Sequence, residues 1–291
     1  MRANSTKKLL RRLEWVGLIL MSGILHLMPL DLASGFMGKL WEIVAPRTKR
    51  QIRAKANLLA AYPEINGDDA DKIMKGVWNN LGRVAAETVL LDRFISDKER
   101  VTLINPEIIT HACQGGNAVF VTMHSGNWEL VGLRAGDLGI ELAGVYQALS
   151  NPLSEAFLMK QRVNFYRKGL FSKGHDTARK LIAVLRSGGS PCFVADVRDK
   201  RGVKVQFFNQ TAKATHIPAL LARNSNRPLI AIRSIRTKGS HFEIEAVRIP
   251  YPVTKDKKAD SIVATQAIHD QFEDWIREKP TQWMWILKKW A

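Results

Sequence analysis

The run Ala118-Val119-Phe120-Val121-Thr122-Met123, followed at once by His124-Ser125-Gly126-Asn127-Trp128-Glu129, constrains this 291-residue chain more than any other stretch. A short apolar run closed by a glycine turn reads as a strand buried on both faces of an α/β core. It ends on an imidazole, turns at Gly126 and enters a helical pattern that carries Glu129. Residues five apart on one continuous helix lie roughly 140° apart around the axis and share no face. His124 and Glu129 therefore meet only if the first sits in the turn and the second in the first helical turn. That arrangement predicts a base and its orienting carboxylate at the mouth of a sheet. A free imidazole titrates at about 6.5, and a carboxylate on one ring nitrogen fixes the tautomer and stabilises the cation. The N–H groups at the helix start, near Gly126 and Asn127, would favour developing negative charge. There is no Gly-x-Ser-x-Gly elbow, and Ser125 reads as a turn residue, so the expected nucleophile is a hydroxyl of the substrate. An isolated His-x4-Glu is common by chance; its position after a buried strand gives it weight.

Around this stretch, from about residue 101 on, short apolar runs alternate with helical patterns. Strands are expected at 118–123, 141–146, 192–196, 203–208, 228–235 and 241–249, with helices near 127–138, 152–166, 177–186, 215–225 and 258–278. Such alternation predicts the α/β class, with a mixed, largely parallel central sheet flanked by helices. Upstream, Asp68 opens a long helix to about Arg93, with Ile73, Val77, Leu81, Val84, Val89 and Leu90 at three-to-four spacing. The expected organisation is a membrane-anchoring helical segment over 1–45, a helical subdomain over 46–100 and a catalytic α/β domain over 101–291.

The N-terminus supplies the membrane reading. Arg2, Lys7, Lys8, Arg11 and Arg12 precede residues 15–30, which carry no formal charge; Pro29 and Asp31 close the run, slightly short of the ~18–20 residues of a comfortable span. A second apolar stretch, 32–44, is interrupted by Lys39 and Glu42. A crossing with the basic end in the cytoplasm would place the rest of the chain outside. A monotopic anchor or shallow hairpin, its cations on anionic headgroups, is the expectation. No small-x-small site follows the run, so a cleaved signal is not expected.

The formal charge of +17 adds that the surface concentrates anions, with lipid favoured over nucleic acid because no zinc-finger spacing, RNA-binding sheet signature or arginine-rich arm is present. The remaining alternative of this kind is a basic membrane- or nucleic-acid-binding protein that is not an enzyme. Cys113 and Cys192 offer neither a disulfide framework nor metal spacing, and Cys192 reads as a core residue. His26, His111, His175, His216, His241 and His269 lack ligand spacing and read as packing or surface residues. Neither a metal nor a cofactor is expected. The tail Trp283-Met284-Trp285-Ile286-Leu287-Lys288-Lys289-Trp290 mixes indoles with cations, which suits a membrane interface and core packing equally.

Taken in order, the His124 to Glu129 segment, Tyr146-Gln147-Ala148-Leu149-Ser150-Asn151-Pro152, Phe207-Phe208 before Ala214-Thr215, Asn57-Leu58 with Pro63-Glu64, and the ending from Thr281 to Trp290 resemble the bacterial late acyltransferases of lipid A biosynthesis, within the lysophospholipid acyltransferase superfamily. The resemblance runs over almost the whole chain. It implies transfer of a fatty acyl group from acyl carrier protein to a hydroxyl of an anionic lipid A precursor, at the cytoplasmic face of the inner membrane. It makes His124 the base and Glu129 its orienter, and Asp196 an acid that orients a substrate group or a neighbouring cation. The substrate-binding set expected is Gly126, Asn127, Gln147, Asn151, Arg162, Asp196, Arg198, Phe207, Phe208, Lys213 and Thr215. One of the two Phe rings is expected to enter the core and the other to line an apolar acyl cleft. The chain departs from the pattern at Gln147, where the family has Arg, and at Asn209, where it has Gly. Arg162, Arg198 or Lys213 could supply the missing cation. The other enzyme reading is an acyl-coenzyme A-dependent acyltransferase of phosphoglycolipids or lysophospholipids.

Overall fold

The computed structural model describes residues 2–174 and 176–290, with side chains from Thr6 onward. The expectations for His175 and for the side chain of Arg2 lie outside these residues. Five helices come first: α1 (Arg2–His26), α2 (Leu30–Val44), α3 (Lys49–Ala61), α4 (Gly67–Val89) and α5 (Leu91–Ser96). Strand β1 (Val101–Leu103), α6 (Pro106–Cys113), β2 (Val119–Thr122), β3 (Leu142–Tyr146), α7 (Pro152–Arg162), β4 (Leu170–Ser172), α8 (Thr177–Arg186) and β5 (Ser190–Val194) follow. The chain then forms β6 (Arg198–Phe207), β7 (Gln210–Ala214), α9 (Ile217–Ser225), β8 (Leu229–Arg236), β9 (Phe242–Arg248) and α10 (Lys257–Glu278).

The sheet has seven strands in the order β1-β9-β8-β2-β5-β3-β4. Strands β8, β2, β5, β3 and β4 are mutually parallel, β9 runs antiparallel to β8, and β1 is parallel to β9 at the edge. The fold is α/β, with a mixed, largely parallel sheet between helices. Period-two alternation splits each central strand between two cores. Val119, Val121, Leu229, Ala231 and Phe193 pack with α3, α8, α9, α10 and the C-terminal tail. Phe120, Ile230, Ile232 and Cys192 pack with α2, α5, α6 and the end of α4. Caps set the helix starts: the Asn66 carboxamide oxygen accepts from Asp69 N at 2.9 Å, and the Asp256 carboxylate from Lys258 and Ala259 N.

Three expectations are corrected. The segment 127–138 is not an α-helix but two 3-10 turns, Trp128–Gly132 and Ala135–Leu138, because Gly132 packs tightly against Leu142 and Phe165, and Gly139, at φ +71°, closes the second turn. The strand expected at 203–208 does not join the main sheet: β6 pairs only with β7 in a separate antiparallel hairpin. Strands β1 and β4 were not expected, being three residues each and too short to show a period. Among the described residues no helix is long and apolar enough to cross a membrane.

Candidate active site

The register of two neighbouring strands builds the site. Thr122 of β2 pairs with Val194 of β5, so His124 and Asp196 each stand two residues past the same rung at the carboxyl edge of the sheet. In open parallel sheets that edge is where ligands bind. His124 Nδ1 lies 2.8 Å from Asp196 Oδ1, and Asp196 Oδ2 accepts from the backbone N of His124 at 2.8 Å and from the Trp283 indole at 2.9 Å. Asp196 is wholly buried, while the His124 side chain keeps 18% of its surface. Burial alone would raise the Asp196 pKa, but the charge of His124 and these three hydrogen bonds outweigh it and hold the carboxyl below its usual value. An ionised Asp196 accepts a hydrogen bond from Nδ1–H, which leaves Nε2 with the lone pair. The ring is steadied edge-on by Trp128, with centroids 4.9 Å apart.

Glu129 is not on the imidazole. It accepts from Arg162 Nε at 2.7 Å, from Arg162 Nη2 at 2.5 Å and from the Trp128 indole at 3.1 Å. The turn after Gly126 is a 3-10 turn, which carries Glu129 toward α7, whereas β5 delivers Asp196 directly alongside His124. Burial would lower the pKa of Arg162, but Glu129 more than offsets it and the guanidinium stays charged. The result is two linked pairs, His124 with Asp196 and Glu129 with Arg162, joined through Trp128.

Gly126 makes the turn possible. Its φ is +59°, and a Cβ there would run into the Ser234 carbonyl of β8. The C-terminal tail zips along the same turn: Gly126 N donates to Gln282 O at 3.1 Å, and Met284 N to His124 O at 3.0 Å. The backbone N–H groups of Ser125 and Glu129 go to Met123 O and the Asn127 side chain. With His124 N on Asp196, the backbone donors of residues 124, 125, 126 and 129 are engaged within the protein.

This strand-end histidine is set within one protein family. A family model described as bacterial lipid A biosynthesis acyltransferase matches residues 2–291. The chain belongs to that family. A phosphatidylinositol mannoside acyltransferase of Mycobacterium tuberculosis is 25% identical over 186 residues, 60% of this chain and 55% of that protein. Its namesake from Mycolicibacterium smegmatis is 24% identical over 203 residues, 66% of this chain and 63% of that protein. The chain thus spans between half and two thirds of the length of these relatives.

Within this member of the acyltransferase family, the other expected site residues divide. Gly126, Asn127, Glu129, Arg162 and Asp196 converge on the His124 turn. Asn151 is instead the N-cap of α7, and its amide holds the Arg11 carbonyl and Glu14 of α1. Gln147 is exposed, Arg198 opens β6 opposite Ala214, the Lys213 ammonium reaches the Lys200 carbonyl at 3.4 Å, and Thr215 is half-buried beyond β7. Both Phe207 and Phe208 are buried, which corrects the expected one-in, one-out pattern: Phe208 has left the strand, at φ 53°, for the tight turn of the hairpin. Asn209 follows at φ 56°, a backbone that Gly takes freely and Asn tolerates, so the departure from the family pattern is conformationally mild. The tail lies in the core, with Trp283 and Trp285 fully buried and Asn57 Nδ2 donating at 2.8 Å to the carbonyls of both Trp285 and Leu287.

Sequence reading missed Trp283 as a partner of Asp196, and it missed Glu87. That carboxylate, wholly buried on α4, takes Ser34 Oγ at 2.7 Å, Asn127 Nδ2 at 2.9 Å and both terminal nitrogens of Arg236. The signal available was an acid three residues after Val84, on the apolar face of its helix. A partly open, mostly apolar cavity behind the sheet, lined by Phe120, Val131, Leu138, Ile140, Leu142 and Cys192 among others, has about 20 Å³ of room for water.

Proposed function

We propose that this protein is an O-acyltransferase that moves a fatty acyl group from the thioester of acyl carrier protein to a hydroxyl of a lipid A precursor. The observation that carries the reading is the His124–Asp196 pair at the carboxyl edge of the sheet. His124 Nε2 takes the proton of the acceptor hydroxyl while its oxygen attacks the thioester carbonyl. The tetrahedral intermediate collapses with cleavage of the C–S bond, and the imidazolium returns its proton to the departing thiolate. No acyl-enzyme forms. The guanidinium of Arg162, clamped by Glu129, stabilises the oxyanion or holds the acceptor's phosphate. A positioned base contributes roughly 10²–10⁴ in rate and an oxyanion donor a comparable factor. Neither metal nor cofactor has a part in this scheme.

The place of action is the cytoplasmic face of the inner membrane, held by a monotopic anchor. What supports this is the stripe of Leu9, Leu13, Val16, Leu20, Ile24 and Leu27 along α1, continued by Leu32 and Phe36 of α2, all exposed and flanked by Lys7, Lys8, Arg11 and Arg12. Such a surface matches anionic lipid and leaves nucleic acid out of the reading.

The names of the mycobacterial relatives favour a second acceptor, a mannosylated phosphoglycolipid; acyl-coenzyme A is the donor in this second reading. Mass spectrometry of lipids from cells with and without the protein decides between them. A lipid A species differing by one acyl chain is expected, and an acyl difference confined to a phosphoglycolipid would replace the first acceptor. Unchanged lipids, with salt-sensitive binding to many polyanions, would leave only a basic binding protein.

A further inference from the structure

Beside the Phe207 ring lies a buried lysine that the acyl-transfer scheme does not use. Lys289 and His269 are both almost entirely shielded from solvent, and Lys289 Nζ donates to His269 Nε2 at 2.8 Å. The other ring nitrogen of His269 is 2.8 Å from the Thr265 carbonyl, so Nδ1 carries the proton and Nε2 the lone pair. Lys289 Nζ also stands 5.0 Å from the centroid of the Phe207 ring. Phe207 packs 5.8 Å from Trp283, whose indole donates to Asp196. A buried ammonium is costly unless a negative charge offsets it. The hydrogen-bond partner of Lys289 is His269 of α10, which is neutral, and the carboxylate reached along this run of rings is Asp196 at the end of β5. Elsewhere on α10, Glu273 is engaged by Arg277 and Phe208 N, and in the C-terminal tail Lys288 is exposed. Across Trp128 the Glu129–Arg162 pair adds no net charge.

We propose that Lys289, held by His269 in this aromatic cage, is a positioning residue that acts through Asp196: its ammonium balances the buried carboxylate, which can then orient His124 without locking the imidazole in its protonated form. An uncompensated carboxylate beside an imidazole favours the cation, and a cation cannot accept the acceptor's proton. The burial of the pair agrees with this. Burial pulls Lys289 down to about 8, with Asp196 pulling the other way, and burial together with the charge of Lys289 pushes His269 down to about 3.

The proposal rests on His124 being the base, and its test separates the two. In full-length Lys289→Met, the acid limb of the kcat/KM profile should move to higher pH by about one unit, with turnover recovered on the alkaline side. His269→Phe, which strips the ammonium of its acceptor, should give the same displacement. A rate lowered equally at every pH, with the limb in place, would mean a merely structural role and overturn the proposal. The native protein provides a measurement free of variants: the Trp283 indole N–H resonance should inflect at about 8, as Lys289 loses its proton. A resonance flat through that range overturns the proposal even if neither variant folds. Retained turnover in His124→Ala, with the Trp283 inflection still present, would count against the base assignment alone.

Discussion

At the scale of single residues, the two carboxylates near His124 have different partners and should fail differently. Asp196→Asn removes the acceptor that fixes the Nδ1 tautomer, and it should lower kcat by about 10³–10⁴-fold with little change in KM. Glu129→Gln frees Arg162 from its clamp, and the loss should appear in KM for the phosphorylated acceptor as well as in kcat. Steady-state kinetics on the two variants checks both, and a Glu129→Gln profile indistinguishable from Asp196→Asn would mean that both acids serve the imidazole. The position of His124 was legible in the sequence because a histidine directly after an unbroken apolar run has few places to go. Its partner was not, because β2 and β5 are 72 residues apart in the chain for this contact, and only strand register places Asp196 beside His124. The local His-x4-Glu spacing pointed to the nearer acid instead.

At the scale of elements, the long helix α4 links the N-terminal helices to the catalytic turn. Gly82 faces α2 so closely that a Cβ would collide with the Met37 carbonyl and the Trp41 side chain. Gly82→Ala should therefore cost roughly 1–3 kcal/mol through overpacking, despite the better helix propensity of Ala. Denaturant unfolding measures it, and an unchanged or raised midpoint would show that α2 yields without cost. The same crossing holds Glu87, whose contacts run from Ser34 on α2 to Asn127 in the turn and Arg236 on β8. The central strands and most long helices were readable from periodicity, since β2, β5 and β8 are buried on both faces and α4 carries a clear apolar stripe. The 3-10 turns after Gly126 and the β6–β7 hairpin were not. Both depend on which neighbour a short segment packs against, and periodicity carries no record of that. The tail was ambiguous for a related reason: indoles beside lysines fit a membrane interface or a core, and only the pairing of Gln282 and Met284 with the catalytic turn decides for the core.

At the scale of the whole molecule, the reading combines an apolar, cation-flanked N-terminal face with a base at the sheet edge. Replacing Leu9, Leu13 and Leu20 by Ser removes three exposed leucines, each worth about 1.5–3 kcal/mol when buried in lipid. Partition onto anionic vesicles in a flotation assay should fall by at least about 100-fold, with the fold unchanged; undiminished binding would move the membrane contact elsewhere on the protein. The decisive assay is the acyl-transfer turnover of purified His124→Ala on vesicles, with an acyl thioester and a glycolipid acceptor. Turnover should fall to the uncatalysed background, with native melting temperature and native vesicle binding. Turnover close to that of the unmodified protein would contradict His124 as the base.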